Sequence, residues 1–236
     1  MTKNAELSGK LKKILNLRYE PVGIKIVKKG EDIKGKFESF KEPENRIRHC
    51  HSVMMARKGE SLLMPVSKHA CLVGASSMGL VPTPDKVKSG VVHSTIGMFE
   101  NIEAAANMIS QRFELEQDKF EATVVGPLKN FDMDPDVVVI VDIPETLYWL
   151  IPASSYSDGN RQNFNSSPFQ ATCVDATVIP FLTGKMNISL GCYGCRTGTD
   201  IQNDEMISGI PYANIGKMVE ALEKLYEGPM KKARNP

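Results

Sequence analysis

The run of five β-branched residues at positions 137–141 (Val-Val-Val-Ile-Val) limits most strongly what this chain can fold into. Successive side chains of a strand point to opposite faces of its sheet, so a strand that is apolar at every position is buried on both faces. The run therefore predicts a central strand in a sheet with helices on both sides. It is far shorter than the roughly 18 apolar residues of a membrane-spanning helix.

Predicted helices and strands alternate along the rest of the chain. Apolar residues at helical spacing predict helices over 7–17, 50–58, 70–80, 101–113, 144–150, 168–181 and 212–226. Short apolar runs predict strands over 22–27, 61–66, 120–125, 136–141 and 187–190. This alternation is typical of an α/β (or α+β) fold, and we predict a single layered domain over 1–236 with a mixed β-sheet flanked by helices.

The segment 154–168, SSYSDGNRQNFNSSP, is the most irregular part of the sequence. It is polar, rich in turn-forming residues and longer than an ordinary connection. Loops of this length are either lids over functional sites or mobile surface segments, and both interpretations remain open for this one.

The charge balance argues against two classes of partner. Lys and Arg number 29 against 28 Asp and Glu, a net charge of +1, which predicts no nucleic-acid partner and no attraction to a membrane surface. The first residues carry no apolar stretch followed by a small-residue cleavage site, so we expect no secretory signal and a cytoplasmic location.

Five cysteines are the unusual part of the composition. An odd number cannot pair completely within one chain, and in a reducing compartment thiols serve as core residues, catalysts or metal ligands. The five lie near predicted element boundaries: Cys50, Cys71, Cys173, Cys192 and Cys195. Helix starts carry partial positive charge that favours thiolates, so these positions suit a metal site built from distant parts of the chain.

The densest motif is GCYGCRTG at 191–198. Gly191 and Gly194 permit tight turns and close backbone approach, and Arg196 can hold an anion. Cys192 and Cys195 have the CxxC spacing of one edge of a metal site or of a redox disulfide. A structural zinc site usually has two such pairs, and the bacterial ferredoxin spacing is absent from this sequence.

Several motifs together resemble a known family. They are the segment 21–25, Cys50 with 56–60, the segment 71–80, Cys173, the segment 191–194 with Arg196, and the segment 204–211. In this order they resemble the archaeal and anaerobic-bacterial family called domain of unknown function family 169, over about residues 11–226. The resemblance implies a single-domain cytoplasmic protein of anaerobes with no established activity. It also implies a set of four cysteines, Cys50, Cys71, Cys173 and Cys192, with Cys195 as an additional thiol.

The leading hypothesis is an iron–sulfur protein. Cys50, Cys71, Cys173 and Cys192 would be the metal ligands of one [4Fe–4S] cluster, since four thiolates satisfy such a cluster. It would have a redox or Lewis-acid role toward a small-molecule substrate, with an electron-transfer partner. The residues predicted to line the cofactor-binding pocket are Arg196, Ser76, Ser77, Gly191 and Gly194.

Two other functions remain open. One is a metal-free thiol redox or nucleophile enzyme that uses Cys192 or Cys195, with Arg196 and loop N–H groups favouring the thiolate. The other is a non-enzymatic module that binds zinc or a cofactor.

Overall fold

Six strands form one open sheet in the computed structural model, which describes residues 2–234 apart from the side chains of Ile33 and Lys34. The strands are β1 (Val22–Lys28), β2 (Leu62–Pro65), β3 (Phe120–Pro127), β4 (Val137–Asp142), β5 (Asn187–Ser189) and β6 (Met206–Pro211). Their order across the sheet is β2-β3-β1-β4-β6-β5. The predicted domain over 1–236 includes residues 1, 235 and 236, which lie outside the described part.

The layered α/β fold predicted from the sequence is confirmed, but the strand directions differ from the mixed sheet that we expected. Every pairing between the six strands is antiparallel. Parallel pairing is limited, within residues 2–234, to isolated bridges between Lys41 and Leu62 and between Ile47 and His69. Antiparallel neighbours need no crossover helix between them, so the alternation of helices and strands does not require parallel pairs.

Thirteen α-helical segments surround the sheet within residues 2–234. They are α1 (Lys3–Leu15), α2 (Ile33–Lys36), α3 (His49–Ala56), α4 (Leu72–Ser77), α5 (Asp85–Lys88), α6 (Val91–Ser94), α7 (Ile102–Ser110), α8 (Pro144–Tyr148), α9 (Leu150–Ser154), α10 (Ile179–Thr183), α11 (Tyr193–Gly198), α12 (Tyr212–Leu225) and α13 (Lys231–Arg234). A π-helix covers Ala171–Val178, and a second π-helical turn covers Tyr226–Met230. Short 3₁₀ turns cover Val66–Lys68 and Leu128–Asn130. No helix in the described part is long and apolar enough to cross a membrane.

Both faces of the sheet are covered, as the apolar run at 137–141 predicts. We call them the α12 face, packed against α1, α9 and α12, and the thiol face, packed against α3, α4, α11 and the π-helix. Along β4, Val138 and Ile140 belong to the core of the α12 face, whereas Val137, Val139 and Val141 belong to the core of the thiol face. This alternation is the period of two that a pleated strand imposes.

The π-helix lies directly on the backbone of β6. At Gly209 an added Cβ would collide with the backbone of Ala176, because the helix approaches the strand without an intervening side chain. Glycine is thus required here by close approach between two backbones. The contact fixes the position of the π-helix on the thiol face.

Candidate functional site

The five cysteines converge on the thiol face, and we call them together the thiol cluster. Cys50 lies in the first turn of α3, Cys71 directly before α4, and Cys173 in the π-helix. Cys192 directly precedes α11, and Cys195 lies within it. Since α3 packs against both α11 and the π-helix, and α4 packs against the π-helix, thiols far apart in sequence lie together. All five are free cysteines.

Two groups of contacts make up the thiol cluster. The Cys195 thiol hydrogen-bonds with the thiols of Cys50 and Cys192, and its Sγ lies 2.8 Å from the Thr172 hydroxyl. Cys71 and Cys173 meet across Gly74, where an added Cβ would lie 3.4 Å from Cys173 Sγ and 3.8 Å from Cys71 Sγ.

Cys173 joins the two groups. Burial raises its pKa well above the ordinary value, and negative charge on Cys71, Cys192 or Cys195 would raise it further. These couplings require that Cys173 lies close to thiols of both groups, because charge effects weaken with distance. The cluster is therefore one site rather than two.

The buried thiols of the CxxC pair are protonated near neutral pH. The hydrogen bond with Cys195, followed by burial, raises the pKa of Cys192. The hydrogen bond with Cys192 lowers the pKa of Cys195, but the hydrogen bond with Cys50 and burial outweigh it and raise the pKa to about 12. A thiolate at either position therefore needs a compensating positive charge, which a bound metal supplies.

The donor set fits a metal that prefers sulfur, because the cluster consists of thiols alone. Within residues 2–234, however, no group of three or more His, Cys, Asp or Glu side chains is arranged to hold a metal ion. The Cys195 thiol contacts those of Cys50 and Cys192 directly, so side chains must rotate apart to accommodate a metal group. The described residues thus include thiols of the kind that bind such a metal, but these thiols are not arranged around a common metal position.

Exposure differs within the thiol cluster. Cys192 and Cys195 are buried, whereas Cys50, Cys71 and Cys173 are partly exposed. Cys71 also accepts a hydrogen bond from the backbone N–H of Gly74 at 3.4 Å. The cluster thus combines three thiols that solvent can partly reach with two that are buried.

The glycine-rich segment at 191–198 is held in place by its own arginine. Gly191 has φ +89°, and a Cβ there would lie 3.1 Å from Arg196 Nε. The Arg196 guanidinium donates hydrogen bonds to three backbone carbonyls, those of Leu190, Gln202 and Glu205. In this geometry Arg196 supports the segment, and its contact with an anion stays a prediction.

The other predicted cofactor-binding residues are placed as follows. Ser76 and Ser77 are buried, and both hydroxyls donate to the carbonyl oxygen of Val73. Gly194 lies in α11 with open space around its Cα, in which a Cβ would meet no atom within 4 Å. Contact between these residues and a cofactor stays a prediction.

A buried ion pair holds the segments that carry the thiols. Arg57, directly after α3, donates from Nη1 to Glu205 Oε2 at 2.8 Å. Both side chains are almost inaccessible, 1% and 0% exposed. The pair joins the end of α3 to the segment between α11 and β6. Sequence reasoning did not find it, since nothing in the local pattern relates residues 148 positions apart.

His49, the neighbour of Cys50, lies in the interior as a neutral side chain. Burial lowers its pKa to about 3, with a smaller effect of His69. Its Nε2 lies 3.2 Å from the Thr177 hydroxyl, which itself donates to the carbonyl oxygen of Thr172. Nε2 is therefore the donor of the pair, and the contact ties α3 to the π-helix.

Comparison with known proteins identifies the family. The model of the family DUF169, described as "Uncharacterised ArCR", matches residues 10–221. The chain is 30% identical to a protein of Methanocaldococcus jannaschii called "Uncharacterized protein MJ0308". The 220 aligned residues cover 92% of this chain and 93% of that protein. No solved structure matches significantly. The chain therefore belongs to the DUF169 family, the one that its sequence motifs indicate.

Proposed function

We propose that this protein binds one [4Fe–4S] cluster through Cys50, Cys71, Cys173 and Cys192. One observation carries the proposal, namely that cysteines from four separate segments meet in one site on one face of the sheet. Free cysteines that only fill a core have no need to contact each other. Four thiolates satisfy such a cluster, and the thiol cluster offers five sulfur atoms.

With all four cysteines as ligands, the bound cluster would supply electron transfer; a Lewis-acid role would require an iron atom that is not bound by a cysteine of this set. The chain's own residues would orient and protect it. Gly74 leaves room beside Cys71 and Cys173, and its N–H donates to Cys71 Sγ. Apolar side chains of the thiol-face core would limit the entry of water from the side of the sheet. Control of water access is one way in which proteins tune the reduction potential of such centres.

Cys195 is the fifth thiol, and in this proposal it is a hydrogen-bond partner rather than a ligand. It is 1% exposed and lies between Cys50 and Cys192, with the Thr172 hydroxyl at its sulfur. Hydrogen bonds to sulfur atoms shift the reduction potential of iron–sulfur centres. Cys195 and Thr172 are thus positioned to tune the centre without binding iron.

The raised pKa values of Cys192 and Cys195 favour a metal-dependent role over a metal-free thiolate nucleophile, because neither thiol ionises readily on its own. A zinc module with the same four ligands would be redox-inactive, so metal analysis separates it from the proposal. A cytoplasmic location, a small-molecule substrate and an electron-transfer partner belong to the same proposal. Five unpaired thiols agree with a reducing compartment.

The test is anaerobic purification of the full chain, followed by iron and sulfide analysis and electron paramagnetic resonance of the reduced protein. We expect about four iron and about four sulfide per chain. Stoichiometric zinc, or no iron after anaerobic reconstitution, contradicts the proposal.

Single Cys→Ser variants test the ligand assignment. Cys50→Ser, Cys71→Ser, Cys173→Ser and Cys192→Ser should each lose most of the iron, whereas Cys195→Ser, the matched control, should keep it. Circular dichroism of each variant verifies that the fold is retained. If Cys195→Ser loses iron as completely as Cys50→Ser, the set of four is assigned wrongly.

A further inference from the structure

A cavity of about 480 Å³ lies beside the start of the π-helix. Its wall includes Phe99, Arg112, Phe113, Phe169, Gln170 and Asp175. Ligand sites for small molecules usually have volumes of roughly 300–1,000 Å³ and combine apolar walls with a few polar groups. The cavity has both properties.

Two buried N–H donors on this wall have no acceptor. Gln170 is 8% exposed and the side chain of Arg112 is 3% exposed. Gln170 Nε2 and Arg112 Nε have no hydrogen-bond partner among the described residues. A buried donor without an acceptor costs about 1–3 kcal/mol. Both nitrogens are closed off from solvent in this conformation, so a ligand that supplies acceptor atoms would remove this cost once either side chain turns toward the cavity.

The backbone of Gln170 is strained as well. Its φ of 71° lies in the left-handed region, which a residue other than glycine adopts at a cost of about 1–3 kcal/mol. Such strain persists where the surrounding structure holds it, and it concentrates at ligand sites. Here it places Gln170 in the cavity wall.

The charged groups of the wall, apart from Arg112 Nε, already have partners. Asp175 accepts hydrogen bonds from the hydroxyls of Ser189 at 2.7 Å and Ser166 at 3.4 Å. Arg112 Nη2 donates to Thr83 at 2.8 Å and to Glu114 at 2.5 Å. Among the fully buried side-chain atoms of the wall, the two without a partner are both donors, which favours a ligand with an acceptor.

Aromatic rings form the apolar part of the wall. The ring centroids of Phe99 and Phe169 are 5.9 Å apart, with an angle of 32° between the ring planes. Such rings favour a flat apolar body, which gains both area burial and aromatic contact.

The cavity adjoins the thiol cluster at two points. The Cys173 thiol donates to the carbonyl oxygen of Gln170 at 3.7 Å. Arg112 Nη1 donates to the hydroxyl of Ser76, at 3.5 Å, on the helix that follows Cys71. A molecule in the cavity would thus lie next to the proposed cluster.

We propose that this cavity binds a small molecule in which a carboxylate or carboxamide group is attached to a flat apolar body. The oxygen acceptor binds Gln170 and Arg112, and the body packs against the phenylalanine rings. This inference goes beyond the proposed function, because the site does not require that a cluster is bound.

The test uses benzoate and benzamide as probes for the two acceptor groups, with ligand-observed NMR on the full chain. Benzylamine, which has a cationic donor in place of the acceptor, is the matched control probe. We expect a saturable Kd of about 1 mM or tighter for at least one acceptor probe, and at least about tenfold weaker binding of benzylamine. Failure of both acceptor probes to bind, or equal binding of benzylamine, overturns the proposal.

Variants connect the binding to this cavity. Ala104 is an exposed residue of α7 in the cavity wall, so Ala104→Trp should block the cavity without disturbing the core. Ala213→Trp, at an exposed position of α12, is the matched control and should bind as the wild type does. Gln170→Glu keeps the side-chain length but replaces the donor with a carboxylate, and should weaken benzoate binding about tenfold. Binding that survives Ala104→Trp contradicts the assignment.

Iron content is measured on the same samples. Absence of iron with intact probe binding contradicts only the proposed function, and normal iron content without probe binding contradicts only this inference.

Discussion

The two faces of the sheet are built on different principles. The α12 face is covered by the longest helices of the described part, α1 with 13 residues and α12 with 14, over a core of aliphatic side chains. The thiol face is covered by short helices and a π-helix. It contains five thiols, two of them buried, together with a buried neutral histidine and a buried ion pair. The regular face supplies conventional packing, while the irregular face concentrates the chemistry.

The difference bears on how each face contributes to stability. Aliphatic burial stabilises in proportion to area, whereas a buried ion pair often contributes little beyond what well-packed apolar side chains would. Groups such as Arg57 and Glu205 are therefore better understood as positioning residues for the segments that carry the thiols. The following predictions test that distinction, in order of decreasing effect.

Arg57→Met should have the largest effect, because it removes the buried cation beside Glu205 and leaves only the partly exposed Arg18, at 3.2 Å, to pair with this buried carboxylate. The expected loss is about 3–5 kcal/mol in the free energy of unfolding, measured by urea denaturation. Lys58→Met is the matched control. Lys58 also pairs with Asp200 but its side chain is 52% exposed, so its loss should be about 1 kcal/mol or less. Equal losses in the two variants would contradict a special role for the buried pair.

Leu222→Ala should destabilise the α12 face by about 2–5 kcal/mol, because Leu222 is 0% exposed and its truncation leaves a cavity. The iron bound per folded chain, and the reactivity of the thiols in the folded protein, should be unchanged. A change in either would show that the two faces are coupled more closely than the packing indicates.

Gly209→Ala should act on the thiol face, because the added methyl group collides with the backbone of Ala176. We expect a loss of about 1–3 kcal/mol together with faster modification of Cys173 by a thiol reagent, since the π-helix must shift. Gly216→Ala, in α12 with no atom within 4 Å of the new methyl group, should instead stabilise by about 0.5–1 kcal/mol. Wild-type reactivity of Cys173 in the Gly209 variant would contradict the direct packing of the π-helix on the backbone of β6.

Thr172→Val should have the smallest effect. It removes the hydroxyl at Cys195 Sγ, with an expected loss of about 1 kcal/mol. Because that hydrogen bond lowers the pKa of Cys195, its removal should also slow alkylation of Cys195 at a fixed alkaline pH in the metal-free protein. Thr197→Val, at an exposed position of α11, should leave the rate unchanged. Faster alkylation in the Thr172 variant would contradict the assigned direction.

The sequence predicts what depends on local pattern. The run at 137–141 indicates a strand covered on both faces, and helical spacing locates the main helices to within a few residues. The shared metal site of Cys50, Cys71, Cys173 and Cys192 stays a prediction, whereas the central strand and the main helices are confirmed. These predictions succeed because burial and periodicity leave a local signature.

What the sequence does not reveal depends on contacts between distant residues or on unusual backbone. Three features depend on residues far apart in the sequence. They are the antiparallel strand order, the Arg57–Glu205 ion pair and the close approach of Gly209 to Ala176. Gly209 and Pro211 interrupt the apolar pattern of β6, so the sequence does not predict this strand. The glycines of α11 favour a loop where the structure has a short helix. The π-helix lies inside the helix predicted over 168–181. Its i→i+5 hydrogen bonds change the spacing of apolar residues too little for the sequence to distinguish a π-helix from an α-helix.

The strand order has a consequence for biosynthesis. Cys192 and Cys195 follow β5, and β5 joins the sheet through β6, which ends at Pro211. During synthesis Cys50 and Cys71 therefore leave the ribosome well before Cys173, Cys192 and Cys195 can pack beside them. The site is completed only when β6 has been synthesised and has paired with β5. Any metal centre that uses Cys192 would therefore be assembled after the synthesis of β6.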